Sequence, residues 1–331
     1  MKKWIALILA LIAALSLMTG CKTKTLETDE NTASRTAPLS QADAPDLPDT
    51  LNYGEDGVPT IVVYDVADGE YRRLNIEDYV TGVLAGEMRG DWPMEALKAQ
   101  AILARTFVLK FICEKQSKYD GADISTDISE AQAYAPDRIN ERIEKAVSDT
   151  RGEVLSAGGE LPHAWFHAHS GGKTELPVEG LDYDQDNPPY LRIVDSPDSD
   201  SAPTTLKHWS AAFTAAEVAK AARDAGVDVG SAVTSIEPGK KSDSGRTIYF
   251  LINGRRVSAP ALRIHLDSTK LKSTLLSSVE LKDGKVTFTG SGYGHGVGMS
   301  QWGAYALALD GRTAEEIISW YYSGVGVATV W

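Results

Sequence analysis

Residues 93–116 read PMEALKAQAILARTFVLKFICEKQ. Leu97, Gln100, Ala101, Ala104 and Val108 recur at helical spacing and form one stripe. The density of alanine lets neighbouring elements approach closely, so this stretch predicts a central, buried helix. Asp91 is placed to cap it, with Pro93 and Glu95 in its first turn. Cys113 falls inside the helix and reads as a small hydrophobe rather than a nucleophile. Just upstream, Ile76, Tyr79, Val80, Val83 and Leu84 predict a second helix over 76–87, which Gly90 breaks. Thr60–Val66 is β-branched and aromatic, a strand signal.

Downstream, residues 119–135 read as a polar loop and 136–148 as an amphipathic helix. Gly152–Ala157 and Pro162–His169 read as two strands around a Gly158-Gly159 turn. Helix 214–225 precedes two hairpins, turning at Asn253-Gly254 and Asp283-Gly284. Helices over 300–309 and 313–322 close the chain. Hairpins and segregated helices together give an α+β class: a central Ala-rich helix, antiparallel hairpins and peripheral helices, with room for two subdomains around a cleft.

The N-terminus carries a different message. Lys2 and Lys3 precede an apolar run from Trp4 to Met18, the length of a signal-peptide core and short for a membrane span. Met18-Thr19-Gly20-Cys21 resembles a bacterial lipobox. That resemblance implies removal of residues 1–20, lipidation of Cys21, and an extracytoplasmic, membrane-anchored protein. Residues 21–58 follow as a predicted disordered tether, in which three cations oppose eight carboxylates. The folded domain is expected over 59–331.

Composition narrows the function. The 331 residues hold 33 basic and 46 acidic side chains, a formal charge of −13, which argues against nucleic acid as the ligand. Two cysteines exclude a disulfide scaffold and a Cys-rich zinc site.

Three long stretches carry a family resemblance. The first is IEDYVTGVLAGEM (76–88) with PMEALKAQAILARTF (93–107). The second is WFHAHSGGKTE (165–175) with PPYLRIVDSPDSD (188–200). The third is GSGYGHGVGMSQWGAYALA (290–308) with YYSGV (321–325). Together, and in this order, they resemble the SpoIID/LytB family of sporulation protein D and amidase enhancers. The resemblance implies a peptidoglycan enzyme, a lytic transglycosylase cutting peptide-stripped glycan strands in cell-wall remodelling, with a cell-wall amidase as partner. It also implies that the acid is the Glu of the Gly-Glu-Met segment, here Glu87. Two other readings stay open: a non-catalytic, glycan-binding activator of an amidase, and a muramidase-type hydrolase.

The residues themselves support an acid at Glu87. It ends an apolar helix, where desolvation of the charged form raises a carboxyl pKa. A standard glycosidase needs a second carboxylate, whereas closure of the muramic acid C6 hydroxyl onto C1 needs one Glu only. Arg105 and Lys98 share a helix face. Arg105 is expected to support catalysis by orienting a carboxylate or substrate oxygen, with Lys98 a binding candidate. Tyr134, Ser170 and Thr174 match polar positions of the family's cleft, although Ser170-Gly171-Gly172 also reads as a plain turn. His163, His167 and His169 alternate along one strand face. A zinc site there is the weaker reading, and a sugar-facing surface centred on His167 the stronger. No cofactor is expected, because the loop that binds zinc in some relatives lacks Cys and His here. The glycines of 290–298 allow close backbone approach and deliver Tyr293 and His295 to the cleft, followed by Gln301.

Overall fold

The computed structural model describes residues 39–48 and 51–331. The predicted signal segment 1–20, Cys21 and most of the expected tether therefore lie outside the described residues. Strands β1 (Asn52–Tyr53), β2 (Pro59–Asp65) and β3 (Glu70–Asn75) pair antiparallel, and β4 (Ile124–Ser125) joins β2 in parallel. Helix α1 (Ile76–Glu87) follows directly, capped by Asn75, whose side chain accepts the Glu77 N–H at 2.8 Å. Helix α2 (Met94–Glu114) is the predicted central helix. Ala96, Leu97, Ala99, Ala101, Ile102, Leu103 and Ala104 are fully buried. It packs against α1, α3 (Glu141–Asp149) and β5 (Glu153–Ser156), and against two helices from the other end of the chain, Gln301–Leu309 and Ala314–Tyr321.

After β6 (Phe166–His167) the chain runs through α4 (Pro177–Leu181) and α5 (Thr204–Lys207) into a second, smaller hydrophobic core. One sheet of that core orders β11 (Leu276–Lys282), β12 (Lys285–Gly290) and β7 (Trp209–Thr214). The other orders β10 (Arg255–Ser258), β9 (Tyr249–Ile252) and β8 (Ile236–Pro238). Helices α6 (Ala215–Asp224) and α7 (Ala259–Leu266) complete it, and Phe288 joins the two sheets by edge contacts with Phe213 and Phe250. The predicted hairpins are present: Asn253 and Gly254, and likewise Asp283 and Gly284, adopt the positive φ of a two-residue turn. The chain then returns to the first core. There β13 (Met299–Ser300) pairs in parallel with β6, and α8 (Gln301–Leu309) and α9 (Ala314–Tyr321) lie on α2. Last, β14 (Gly326–Thr329) pairs with β5. The fold is α+β, as expected.

Several expectations are corrected. Residues 39–48 and 51–58, within the expected tether, belong to the folded body. Ala42 N–H donates to the Val327 carbonyl at 3.0 Å, Val327 N–H to that of Ser40 at 3.1 Å, and Val58 is fully buried. The segment's composition is polar on average, but Leu39, Leu47 and Leu51 dock on the first core and its backbone extends the β14 edge. The strands around Gly158-Gly159 do not pair with each other. The turn closes through Ala157 and Glu160, after which β5 takes β14 and β6 takes β13 as partner. Asp91 does not cap α2. Pro93 stands at the cap position and Asp91 pairs with Arg89 at 2.6 Å. Cys113 is exposed, because the last turn of α2 runs past the core. The predicted helix over 136–148 is a single 3-10 turn, Pro136–Arg138, followed by α3 with Asn140 as its cap.

Inside the first core, Arg105 is completely buried and Glu77 is 8% exposed. Arg105 Nη2 meets Glu77 Oε2 at 2.6 Å and Nε meets Oε1 at 3.1 Å. Glu77 Oε1 also accepts the Gly152 N–H and the Trp331 indole N–H, each at 2.9 Å. Removing one member of a buried pair strands the other charge, at about 3–5 kcal/mol. Arg105→Met is therefore expected to lose about that much stability in guanidinium chloride denaturation. Adding Glu77→Leu to it is expected to restore most of the loss. Equal stability of Arg105→Met and wild type would contradict the assignment.

Candidate active site

Glu87 is the last residue of α1, after the buried wall of Val83, Leu84 and Ala85. Two glycines bring a loop onto this end of the helix. A Cβ at Gly86 would sit 2.7 Å from the Ala133 carbonyl carbon and oxygen, and one at Gly82 would enter the Tyr134 ring. Only bare backbone at these positions lets the 132–135 segment lie against α1. As a result Ala133 N–H reaches Glu87 Oε1 at 2.7 Å. The other carboxylate oxygen accepts from Gln301 Nε2 at 3.1 Å.

Burial raises the Glu87 pKa above the ordinary carboxylate range. The Ala133 and Gln301 hydrogen bonds oppose that shift by favouring the charged form. Both donors are neutral, so neither holds the carboxylate ionised as a salt bridge would. Glu87 lines a cavity of about 570 Å³ together with Trp92, Arg138, Asn140, Tyr293, Gln301 and Trp302. Trp92, Trp302 and Tyr305 form an aromatic cluster at this wall, with ring centroids 4.6–5.2 Å apart.

Gln301 is itself positioned. It opens α8, whose cap is Ser300, and Ser300 Oγ donates to Asp198 Oδ1 at 2.5 Å. Asp198 also accepts from Ser170 Oγ at 2.6 Å and from Gly171 N–H at 2.9 Å. One buried carboxylate thus ties the 170–172 turn to the start of α8. His169 Nδ1 lies 3.1 Å from Asp198 Oδ2, but burial lowers the imidazole pKa and Nδ1 accepts the Gly171 N–H. The Asp198 carboxylate opposes that shift.

Of the residues singled out from the sequence, the structure brings Glu87, Tyr293 and Gln301 to one cavity. Tyr134 lies over Gly82, stacked on Tyr79 at 5.7 Å, and lines a neighbouring cavity beside Glu77 and Asp78. Arg105 orients a carboxylate as expected, but that carboxylate is Glu77 and not Glu87. Lys98 pairs with Glu95 at 3.1 Å and Asp149 at 3.5 Å, on the face of α2 that meets α3. Ser170 is spent on Asp198. Thr174 is spent on backbone: it donates to the Arg192 carbonyl at 3.1 Å and accepts the Val194 N–H at 2.8 Å. Both are buried, so neither offers a free hydroxyl to a sugar.

The histidines also diverge from the expected strand face, because β6 is two residues long. His163 stacks on Trp165, His169 sits at Asp198, and His167 is buried with Nδ1 donating to the Val297 carbonyl at 3.1 Å. His295 packs 5.7 Å from His167, its pKa pushed down to about 3, chiefly by burial. Both rings are neutral packing groups. The glycine loop does approach other elements closely. A Cβ at Gly296 would sit 2.5 Å from the Arg246 guanidinium carbon, and one at Gly298 would overlap the Trp165 carbonyl.

A family model described as Stage II sporulation protein matches residues 66–156, the stretch that carries α1, α2 and Glu87. Stage II sporulation protein D of Bacillus subtilis is 29% identical over 316 residues, covering 90% of this chain and 85% of that one. The chain belongs to the SpoIID/LytB family. A further relative, an uncharacterized protein of Brachyspira hyodysenteriae, is 34% identical over 260 residues, 77% of this chain and 67% of that protein. The amidase enhancer of Bacillus subtilis is 29% identical over 289 residues, 73% of this chain but 39% of the enhancer. A model for a domain of unknown function, DUF8618, matches residues 183–298. This second region of the SpoIID/LytB chain contains the smaller core and the glycine loop.

Sequence reasoning missed the Ala133 N–H, the Trp92–Trp302–Tyr305 cluster and Asp198. Trp302 and Tyr305 lie inside a family stretch and Trp92 adjoins one, which is a usable signal. A backbone N–H carries none. Gln301→Ala removes one donor to ionised Glu87, so the Glu87 pKa is expected to rise further. A ¹³C carboxyl NMR titration reads this directly, and an unchanged or lowered value would contradict the geometry.

Proposed function

We propose that this protein is a peptidoglycan lytic transglycosylase that cleaves peptide-stripped glycan strands during the cell-wall remodelling of sporulation. The names of its relatives support the cell-wall and sporulation setting. The observation that carries the chemistry is Glu87 itself: a desolvated carboxyl held by two neutral donors at the wall of an aromatic-lined cavity. A carboxyl with a raised pKa is protonated more often at a given pH than an ordinary one, which suits a proton donor.

In this reading Glu87 protonates the glycosidic oxygen, and the bond from that oxygen to muramic acid C1 breaks. Positive charge develops at C1 and its ring oxygen. The C6 hydroxyl of the same sugar then closes onto C1 and returns its proton to Glu87. The product carries a 1,6-anhydro end, and Glu87 ends as it began. The Ala133 and Gln301 donors stabilise the carboxylate formed between the two proton transfers. Trp302, half-buried at the cavity wall, would stand beside the sugars that flank the bond, backed by the buried Trp92. Arg105 acts at a distance, by fixing α1 through Glu77.

The hydrolase reading draws on one observation: Asp91 lines the same cavity. Its Arg89 partner lowers its pKa, so it is ionised, as a general base must be. We favour the single-Glu mechanism because that Arg89 contact occupies the Asp91 carboxylate and both side chains are largely exposed. We further propose a lipid on Cys21, a position on the outer face of the cytoplasmic membrane, and a cell-wall amidase as working partner.

The discriminating experiment compares Glu87→Gln and Asp91→Asn on peptide-free glycan strands, with chain ends counted by mass spectrometry. Glu87→Gln is expected to lower cleavage about 10²–10⁴-fold, and Asp91→Asn to leave it within a few-fold. Loss of activity in both variants would favour the hydrolase. Absence of cleavage by wild type, with amidase stimulation intact in Glu87→Gln, would favour the activator.

A further inference from the structure

His163 and Trp165 take no part in the Glu87 cavity. Their rings stack with centroids 4.4 Å apart and planes 11° from parallel. Tyr183 stands edge-on to both, at 5.6 and 5.3 Å. The Tyr183 hydroxyl and His163 Nε2 are 3.1 Å apart, which fixes the wall against the stack. These rings line a cavity of about 740 Å³, closed on its other side by the last turns of α2 from Phe107 to Lys115. The cavity shares no lining residue with the one that Glu87 lines and is distinct from it.

The chemistry of the lining is mixed in a particular way. Its apolar part is mainly aromatic, Phe107, Phe111, Trp165 and Tyr183, with Ala164 and Leu181 beside them. Polar groups stand around it: the half-buried Trp165 indole N–H, which has no partner among the described residues, the Lys110–Glu114 ion pair, and the exposed Lys115 and Asp184 side chains at the rim. An acyl chain or an apolar helix would leave the indole N–H unpaired. A pyranose ring suits both parts, with its C–H face on the aromatic stack and its hydroxyls and acetamido group on the donors and carboxylate.

We propose that this cavity is a second saccharide site, which holds an N-acetylamino sugar unit of a wall glycan away from the point of cleavage. The saccharide class follows from the lining; only the choice of wall glycan rests on the function proposed above. The site would keep a long strand on the protein between cleavage events, which a single cavity at Glu87 does not do.

The test is calorimetric titration of the Glu87→Gln protein, which does not consume its ligand, with peptide-free glycan fragments and with N-acetylglucosamine hexamer. Adding Trp165→Ala or Tyr183→Ala is expected to weaken binding about tenfold. Tyr183 lies in the loop after α4, so its variant keeps the test valid should Trp165→Ala fail to fold. Unchanged affinity in Tyr183→Ala would overturn the proposal, as would absence of glycan binding by Glu87→Gln or competition by wall stem peptides instead of sugars. The two readings fail separately. Weakened binding in Tyr183→Ala with no cleavage by wild type would remove the function of Glu87 and leave this site standing. Cleavage by wild type with unaltered binding in Tyr183→Ala would do the reverse.

Discussion

Glu77 and Arg105 meet through three contacts inside the first core, and the same carboxylate takes the Gly152 N–H and the Trp331 indole. This node ties α1, α2, the approach to β5 and the far end of the chain to one point. Ten residues later on α1, about 15 Å along the helix, stands Glu87. The two carboxylates are treated oppositely. Glu77 has its charge matched by a buried guanidinium. Glu87 has two neutral donors and a desolvated setting that raises its pKa. With α1 clamped at its start by the ion pair and at its end by the Ala133 loop, Glu87 has little freedom to move. Preorganisation of this kind is what a proton donor needs.

The smaller core bears on the same site from the other side. It is inserted between β6 and β13, two strands that pair directly, so its entry and exit are held together. Arg246, at the edge of that core, is fully buried and donates to the Ser170 carbonyl at 2.5 Å and the Lys173 carbonyl at 2.9 Å. Those residues belong to the turn that Asp198 grips, and Asp198 in turn grips the cap of α8. A continuous set of hydrogen bonds thus runs from the second core to Gln301 and Glu87. The glycines at 296 and 298 leave room for this crowding, since any side chain there would meet the Arg246 guanidinium or the Trp165 carbonyl.

Much of this was legible in the sequence, for physical reasons that can be named. The alanine run of α2 has few ways to pack except in the interior, and the Asn-Gly and Asp-Gly pairs have few conformations except a tight hairpin turn. Glu87 was singled out by the resemblance of its Gly-Glu-Met segment, because an apolar run ending in a carboxylate also describes an ordinary helix end at the surface. Arg105 was half legible: burial demanded a partner, but helical spacing does not say which neighbouring helix supplies it. Ser170 and Thr174 were misread because a hydroxyl has the same appearance in sequence whether it faces solvent or a buried Asp198. The 39–58 segment was misread because average polarity hides three leucines that dock one at a time. The pairing of β5 with β14, across about half of the chain, leaves no local trace at all.

In the proposed mechanism the C6 hydroxyl of the substrate, and not water, completes the reaction begun by Glu87. Cleavage of peptide-free glycan in H₂¹⁸O, with products weighed by mass spectrometry, tests it directly. Unlabelled anhydro ends are the predicted result. Incorporation of one ¹⁸O at each new reducing end would contradict it.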